Sequence, residues 1–116
     1  MTLEEYRSFC LSFPHTQETF PFDETALVYK VFDKMFTLTS IDTFEIITVK
    51  ATPENVIELC ERYQSINPGY YMNKKHWISI NTMGNISNDM IKQLITDSYN
   101  LVVKSLPKKI QKEYFE

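Results

Sequence analysis

Glycine is almost missing from this chain, with Gly69 and Gly84 the only two in 116 residues. A phosphate-cradling loop needs several glycines close together so that backbone amides can approach the anion. Nucleotide binding of that kind is therefore excluded. Histidine and cysteine are as sparse, two of each. His15 and His76 lie far apart, and neither has a Cys or His beside it, so no metal is expected. A Ser or Cys nucleophile needs a histidine base and an orienting group. Nothing local assembles these, so no catalytic residue is assigned and neither enzymatic activity nor a cofactor is expected. No apolar run approaches the roughly 18 residues of a membrane span. The opening Thr2-Leu3-Glu4-Glu5 is acidic and does not read as a secretory signal. A cytoplasmic protein is the expectation, with Cys10 and Cys60 as reduced thiols on apolar helix positions.

What is present is enough for one well-packed domain spanning residues 1–116. The composition is 43% hydrophobic and 14% aromatic, so a core can form without cross-links. The net charge of −3 argues against attraction of the whole molecule to nucleic acid. Its distribution is uneven. Residues 1–25 hold Glu4, Glu5, Glu18, Asp23 and Glu24 against Arg7, while the remainder carries eleven Lys or Arg against ten acids. An anion-binding surface must be a local patch.

Thr2 and Glu5 form a capping-box pattern ahead of Leu3, Tyr6, Phe9, Cys10 and Phe13, which predicts a helix over residues 3–12 ended by Pro14. His15 to Thr25 reads as a loop, with Phe20-Pro21-Phe22 pinned against the body. Residues 26–32, 35–39 and 44–50 are β-branched and aromatic, and short polar gaps separate them, the first being Asp33-Lys34. They predict a three-strand antiparallel meander. Leu27, Tyr29 and Val31 should share one face, with Val28, Lys30 and Phe32 on the other. Hydrophobicity on both faces predicts that helices or loops cover part of both. Thr52-Pro53-Glu54 starts a second helix reaching about residue 63. Ile66 to Gly69 breaks the chain. Residues 76–81 alternate as a fourth strand, with Ile78 and Ile80 opposite Trp77, Ser79 and Asn81. Ser87 caps a long helix to about Ser105, which Pro107 closes or follows with a short turn. Lys104, Lys108, Lys109 and Lys112 gather near its end.

The densest mixture of aromatic, cationic and turn-forming residues is Pro68-Gly69-Tyr70-Tyr71-Met72-Asn73-Lys74-Lys75-His76-Trp77. Lys74 and Lys75 carry fixed charges and His76 a titratable one. Tyr70, Tyr71 and Trp77 flank them. Such a set can stack on bases while ammonium groups meet phosphates. The same residues also fit a structural role, with Trp77 a core anchor, the tyrosines half-buried and the lysines keeping a hairpin tip soluble.

The chain resembles the MmcQ/YjbR family. The likeness is carried by Phe20-Pro21-Phe22, Val28-Tyr29-Lys30-Val31, Lys34-Met35-Phe36, Val49-Lys50-Ala51-Thr52-Pro53-Glu54, the stretch from Pro68 to Trp77, and Ser98-Tyr99-Asn100-Leu101-Val102-Val103. Two departures stand out. Members often have His where this chain has Tyr71, and Gly in the turn before Lys-Met-Phe, where this chain has Phe32-Asp33. The second implies a less sharply turned hairpin. The resemblance implies an α+β fold, an antiparallel sheet with packed helices of the double-wing type compared with a phage transcription factor, and through it a DNA-binding role. On this reading Lys30, Lys34, Lys50, Lys74, Lys75 and His76 contact phosphates. Two other readings stand beside it. One is a protein-interaction adaptor using Tyr70, Tyr71, Trp77 and the Phe20–Phe22 loop. The other is a small-ligand or enzymatic site around His76 and Trp77.

Overall fold

The structure, a computed structural model, describes residues 1–69 and 72–116. Among the described residues are six strands: β1 (Thr16–Thr19), β2 (Ala26–Val31), β3 (Lys34–Ser40), β4 (Ile46–Lys50), β5 (Ile66–Pro68) and β6 (Trp77–Asn81). They make one antiparallel sheet in the order β1-β2-β3-β4-β6-β5. Four helices accompany it: α1 (Leu3–Leu11), α2 (Pro53–Arg62), α3 (Asn88–Ser105) and α4 (Lys108–Phe115). None is long and apolar enough to cross a membrane.

The expected helices form where their caps predict. Thr2 and Glu5 complete the capping box, Thr52 accepts from the Asn55 amide, and Ser87 accepts from the Met90 amide. The β2–β3–β4 meander and β6 also form. The four-strand expectation falls short by β1 and β5, both on the sheet edges. Thr16-Gln17-Glu18-Thr19 is polar throughout, and β5 is three residues ending in Pro68. Edge strands need neither apolar alternation nor a full set of donors. The loop expected over residues 15–25 therefore shrinks to residues 20–25. After Pro107 the chain forms an eight-residue helix where closure or a short turn was expected.

The register sorts the strand residues into two faces. Leu27, Tyr29, Val31, Ile47, Val49, Ile66, Ile78 and Ile80 join Tyr6, Cys10, Val56, Ile91, Leu94, Ile95, Tyr99 and Val102 in one core. Phe115 of α4 packs against it. The helices pack on this face, and the other is covered in part, as expected, since Val28, Thr48 and Ser79 on it are buried. Two polar residues of β3 enter this core already paired. Thr37 donates to the Thr48 carbonyl at 2.9 Å, so the Tyr6 hydroxyl, 2.9 Å away, is its donor. Thr39 donates to the Ile46 carbonyl at 2.7 Å.

The β2–β3 hairpin departs from expectation twice. Its turn is Phe32-Asp33, because Val31 pairs with Lys34. Both turn residues have positive φ, 47° and 65°, as in the tight two-residue turns that match strand twist. The hairpin is therefore sharp without glycine. Phe32 leaves the strand and lies among His15, Tyr114 and Phe115, with ring centroids 5.0 to 5.8 Å away. These contacts offset a left-handed backbone that costs a non-glycine residue about 1–2 kcal/mol.

A second irregularity follows in β3. Tyr29 pairs with Thr37 but Lys30 pairs with Met35, so Phe36 is the extra residue of a β-bulge. The bulge turns the Phe36 side chain into the core, against Phe13 and Tyr99. Ser98 of α3 occupies the gap in the ladder, donating to the Phe36 carbonyl and accepting from the Lys50 amide at 2.8 Å.

Candidate functional site

Strand alternation sends Lys30, Met35, Lys50 and Trp77 to the face opposite the helices. They fall on one row. Lys30 pairs with Met35, Lys50 pairs with Trp77, and the bulge sets Met35 and Phe36 level with Lys50. Lys30 and Lys50, two strands apart, are therefore roughly 10 Å from each other. All four are half-buried. The Lys50 ammonium lies 6.0 Å from the centre of the Trp77 ring, the outer limit of a cation–π contact.

Trp77 is accordingly no core anchor, which corrects the structural alternative raised for it. Ile78 and Ile80, its neighbours on β6, enter the core, and the period of two sends Trp77 to the other side. Gly69 explains how β6 is approached there. Its amide donates to the Trp77 carbonyl at 2.8 Å, and a Cβ at Gly69 would lie 2.8 Å from the Trp77 Cβ. The glycine is required by this close approach and has an ordinary negative φ.

The polar turn before β6 brings the next cations. The His76 amide donates to the Asn73 carbonyl at 3.1 Å, and the Asn73 side chain accepts from the Lys75 amide at 2.9 Å. This Asx turn holds Lys74 and Lys75 exposed. The His76 carbonyl accepts from the Ala51 amide at 2.9 Å, which joins the turn to the end of β4 beside Lys50. His76 itself is half-buried. Tyr70 and Tyr71, named as aromatic flanks, lie outside the described residues.

Lys34 stands apart from this group. Its ammonium is 3.4 Å from the Ser105 carbonyl and 3.5 Å from the Ser105 hydroxyl, at the C-terminal end of α3. There it meets carbonyls that the helix leaves without a partner. The structure thus brings Lys30, Lys50 and Trp77 together, joins Lys74, Lys75 and His76 to them through Ala51, and sends Lys34 to the helix side. Sequence reasoning missed Met35 between the two lysines. Its position depends on the bulge, for which the sequence carries no glycine signal.

The middle row of this face, Thr19, Val28, Leu38, Thr48, Ser79 and Asn67, crosses all six strands. Its centre is shielded from solvent, with Val28, Thr48 and Ser79 buried and Leu38 half-buried. Charge is segregated along the strands. The end holding Lys30, Lys34, Lys50, Lys74 and Lys75 also receives Lys104 and α4 with Lys108, Lys109 and Lys112, against Asp33, Glu54, Glu113 and Glu116. The opposite end carries Glu4, Glu5, Asp23, Glu24, Asp42, Glu45 and Asp89, against Arg62 and Lys92.

Elsewhere the ionisable groups are structural. Arg7 holds Glu18 at 2.9 and 3.1 Å, and the Tyr29 hydroxyl donates to the same carboxylate at 2.6 Å. The Arg7 and Tyr29 hydrogen bonds lower the Glu18 pKa. Burial pushes the Cys10 thiol well above its ordinary range. Cys10 and Cys60 are both free thiols, the first buried and the second half-buried. Among the described residues no cluster of three His, Cys, Asp or Glu side chains could hold a metal ion.

Comparison with known proteins gives consistent relatives. The YjbR family model matches residues 11–101. The Escherichia coli O157:H7 protein YbdF is 38% identical over 110 residues, covering 94% of this chain and 90% of its own length. YjbR of Escherichia coli K12 is 26% identical over 113 residues, covering 97% and 96%. Both are described as uncharacterised proteins. The crystal structure of Deinococcus radiodurans DR2400, with a DUF419 domain, superposes with a TM-score of 0.90 at 39% identity, covering 97% of this chain and 86% of that one. A Pseudomonas syringae protein gives 0.74 at 26% identity, covering 87% and 98%.

Proposed function

The chain belongs to the YjbR family, and from the geometry of its helix-free face we propose that it is a non-enzymatic, cytoplasmic nucleic-acid-binding module that engages a single strand. The observation that carries the reading is the row Lys30, Met35, Lys50 and Trp77 on an open antiparallel sheet, continued by the exposed Lys74 and Lys75. An open sheet with a half-exposed indole offers bases a stacking surface, and lysines about 10 Å apart meet the backbone on either side. The double-wing likeness implies DNA binding in general. The site here favours unstacked bases, because among the described residues no helix lies on this face to enter a duplex groove. The net charge of −3 does not oppose this, since seven of the fifteen acids lie at the other end of the strands.

Fluorescence anisotropy of a labelled single-stranded oligonucleotide at several salt concentrations tests the reading. Four phosphate contacts, from Lys30, Lys50, Lys74 and Lys75, give a slope of log K against log salt near −3, at about −0.7 per contact. Lys30→Ala/Lys50→Ala and Lys74→Ala/Lys75→Ala should each roughly halve that slope. Trp77 is the only tryptophan, so its emission should be quenched on binding. Binding that shows no salt dependence, or that both double variants retain in full, would sink the proposal. A duplex of the same sequence bound more tightly than the single strand would remove the strand preference.

A further inference from the structure

The end of the sheet away from the lysines collects exposed hydrophobic side chains. Phe20 and Phe22 in the β1–β2 loop are 46% and 71% exposed. That finding overturns the expectation that this loop is pinned to the core. Ile41 after β3 is 37% exposed, and Met83 after β6 is 84% exposed. Hydrogen bonds stitch the three connections into one rim. The Ile41 amide donates to the Thr25 carbonyl at 2.9 Å, and the Thr82 amide to the Glu45 carbonyl at 2.9 Å. The Thr82 hydroxyl donates to the Phe44 carbonyl at 2.6 Å. Beside the rim, on the helix-free face, a cleft of about 350 Å³ is lined by Leu38, Ser40, Thr43, Glu45, Ile46 and Thr48. Among the described residues the other exposed large hydrophobics, Leu11, Ile57 and Tyr114, lie singly on three helices.

The charge on these three connections has one sign, although Arg62 at the end of α2, paired with Glu58, lies toward the same end. Residues 20–25, 41–45 and 82–87 contain Asp23, Glu24, Asp42 and Glu45, and no Lys or Arg. All four acids are exposed, and neither ion pair among the described residues, Arg7–Glu18 or Arg62–Glu58, uses them. Asp23 is fixed in place by the Thr25 and Ala26 amides, which donate to it at 2.8 and 2.7 Å. Lys92, one cation toward this end of the molecule, lines a cleft with Glu4 and Glu5 on the helix side.

We infer that the rim and its cleft dock a cationic, apolar segment of another protein, a stretch in which Lys or Arg alternates with aliphatic or aromatic residues. The hydrophobic side chains supply contact area that water otherwise covers, and the acids select the partner's charge. A phospholipid surface or a nucleic acid is anionic and is disfavoured by the same four carboxylates. A second copy would have to offer its lysine-rich end, and that contact does not close into a dimer but runs on head to tail. A separate basic partner is the occupant that charge and geometry favour. This surface is distinct from the lysine row and does not depend on nucleic-acid binding.

The test uses the full chain and a synthetic peptide of about ten residues alternating Lys and Leu, with a Glu–Leu peptide as control. Peptide-induced shifts in amide spectra should cluster at Phe22, Leu38, Ile41, Ile46 and Met83. Affinity should fall about tenfold or more in Phe22→Ser/Met83→Ser, as expected when interface anchors are removed. It should fall similarly in Asp42→Lys/Glu45→Lys, whose side chains are exposed and do not hold the core together. Shifts clustering elsewhere, equal binding of the Glu–Leu peptide, or unchanged affinity in both variants would overturn the inference. So would concentration-dependent self-association in sedimentation that Phe22→Ser/Met83→Ser abolishes, because it would give the surface to a second copy.

Discussion

Replacing Ser98 by alanine removes a single oxygen from the middle of α3, yet that oxygen serves two elements of the sheet. Ser98 is fully buried, donates to the Phe36 carbonyl at the bulge and accepts from the Lys50 amide. Alanine leaves both backbone groups without this partner, at a site shut off from solvent. Each unsatisfied buried group costs about 1–3 kcal/mol. Alanine returns about 0.5 kcal/mol through its better helix propensity. The net expectation is a loss of about 1.5–5.5 kcal/mol. With a urea dependence of about 2 kcal/mol per molar, the unfolding midpoint should drop by about 1–3 M with unchanged slope. Hydrogen exchange should report the site directly, the Lys50 amide being protected in the wild type and exchanging faster in the variant. A midpoint shift worth less than about 0.5 kcal/mol, the range of an ordinary surface change, would refute the reasoning. It would mean that the bulge carbonyl and the strand amide find other partners.

Three further outcomes follow from the geometry. Asp33→Gly should stabilise the protein by about 0.5–1 kcal/mol, seen as a rise of a few degrees in Tm, because glycine adopts the left-handed turn position without steric cost. The Glu18 carboxyl has a lower pKa folded than unfolded, so its stabilising contribution is present above the unfolded carboxylate pKa and is lost as pH falls through the folded one. Glu18→Gln should therefore narrow the stability difference between pH 7 and pH 3 in denaturant titrations, and an unchanged difference would contradict the role of Arg7 and Tyr29. A thiol reagent applied to the native protein should modify Cys60 well before Cys10, and Cys10 only at the rate of unfolding, since Cys10 is buried and its thiolate strongly disfavoured; peptide mapping after labelling checks the order.

Much of the fold was legible from local chemistry. Thr2, Thr52 and Ser87 announced three helices because a side-chain oxygen ahead of an apolar stripe satisfies free amides in any context. Strands β2, β3, β4 and β6 were legible from β-branched runs, and the inward direction of Ile78 and Ile80 from alternation. The edges were not, because Thr-Gln-Glu-Thr becomes a strand only once β2 is there to pair with it. Nor was it legible which face the helices would leave open. Val28 is as apolar as Val31, and only the crossover through α2 and α3 decides between the faces. The candidate site divides the same way. The lysines and Trp77 stood out by type, but their arrangement depended on register, on the Phe36 bulge, and on Lys34 meeting the end of α3. Ser98 lies among the buried residues of α3, and its hydrogen bonds are the reason a hydroxyl is tolerated there.

The segregation of charge along the strands has a consequence for how the molecule meets anything in solution. At physiological ionic strength an electrostatic potential decays over a Debye length of about 8 Å. The shortest dimension of the protein is 25 Å, about three such lengths. The two ends are therefore electrically deaf to one another. Each approaching molecule experiences a locally basic or a locally acidic protein, and the formal charge of −3 describes neither encounter. The chain should accordingly be retained at low salt by both cation- and anion-exchange surfaces, in opposite orientations, which a molecule with evenly spread charge cannot do.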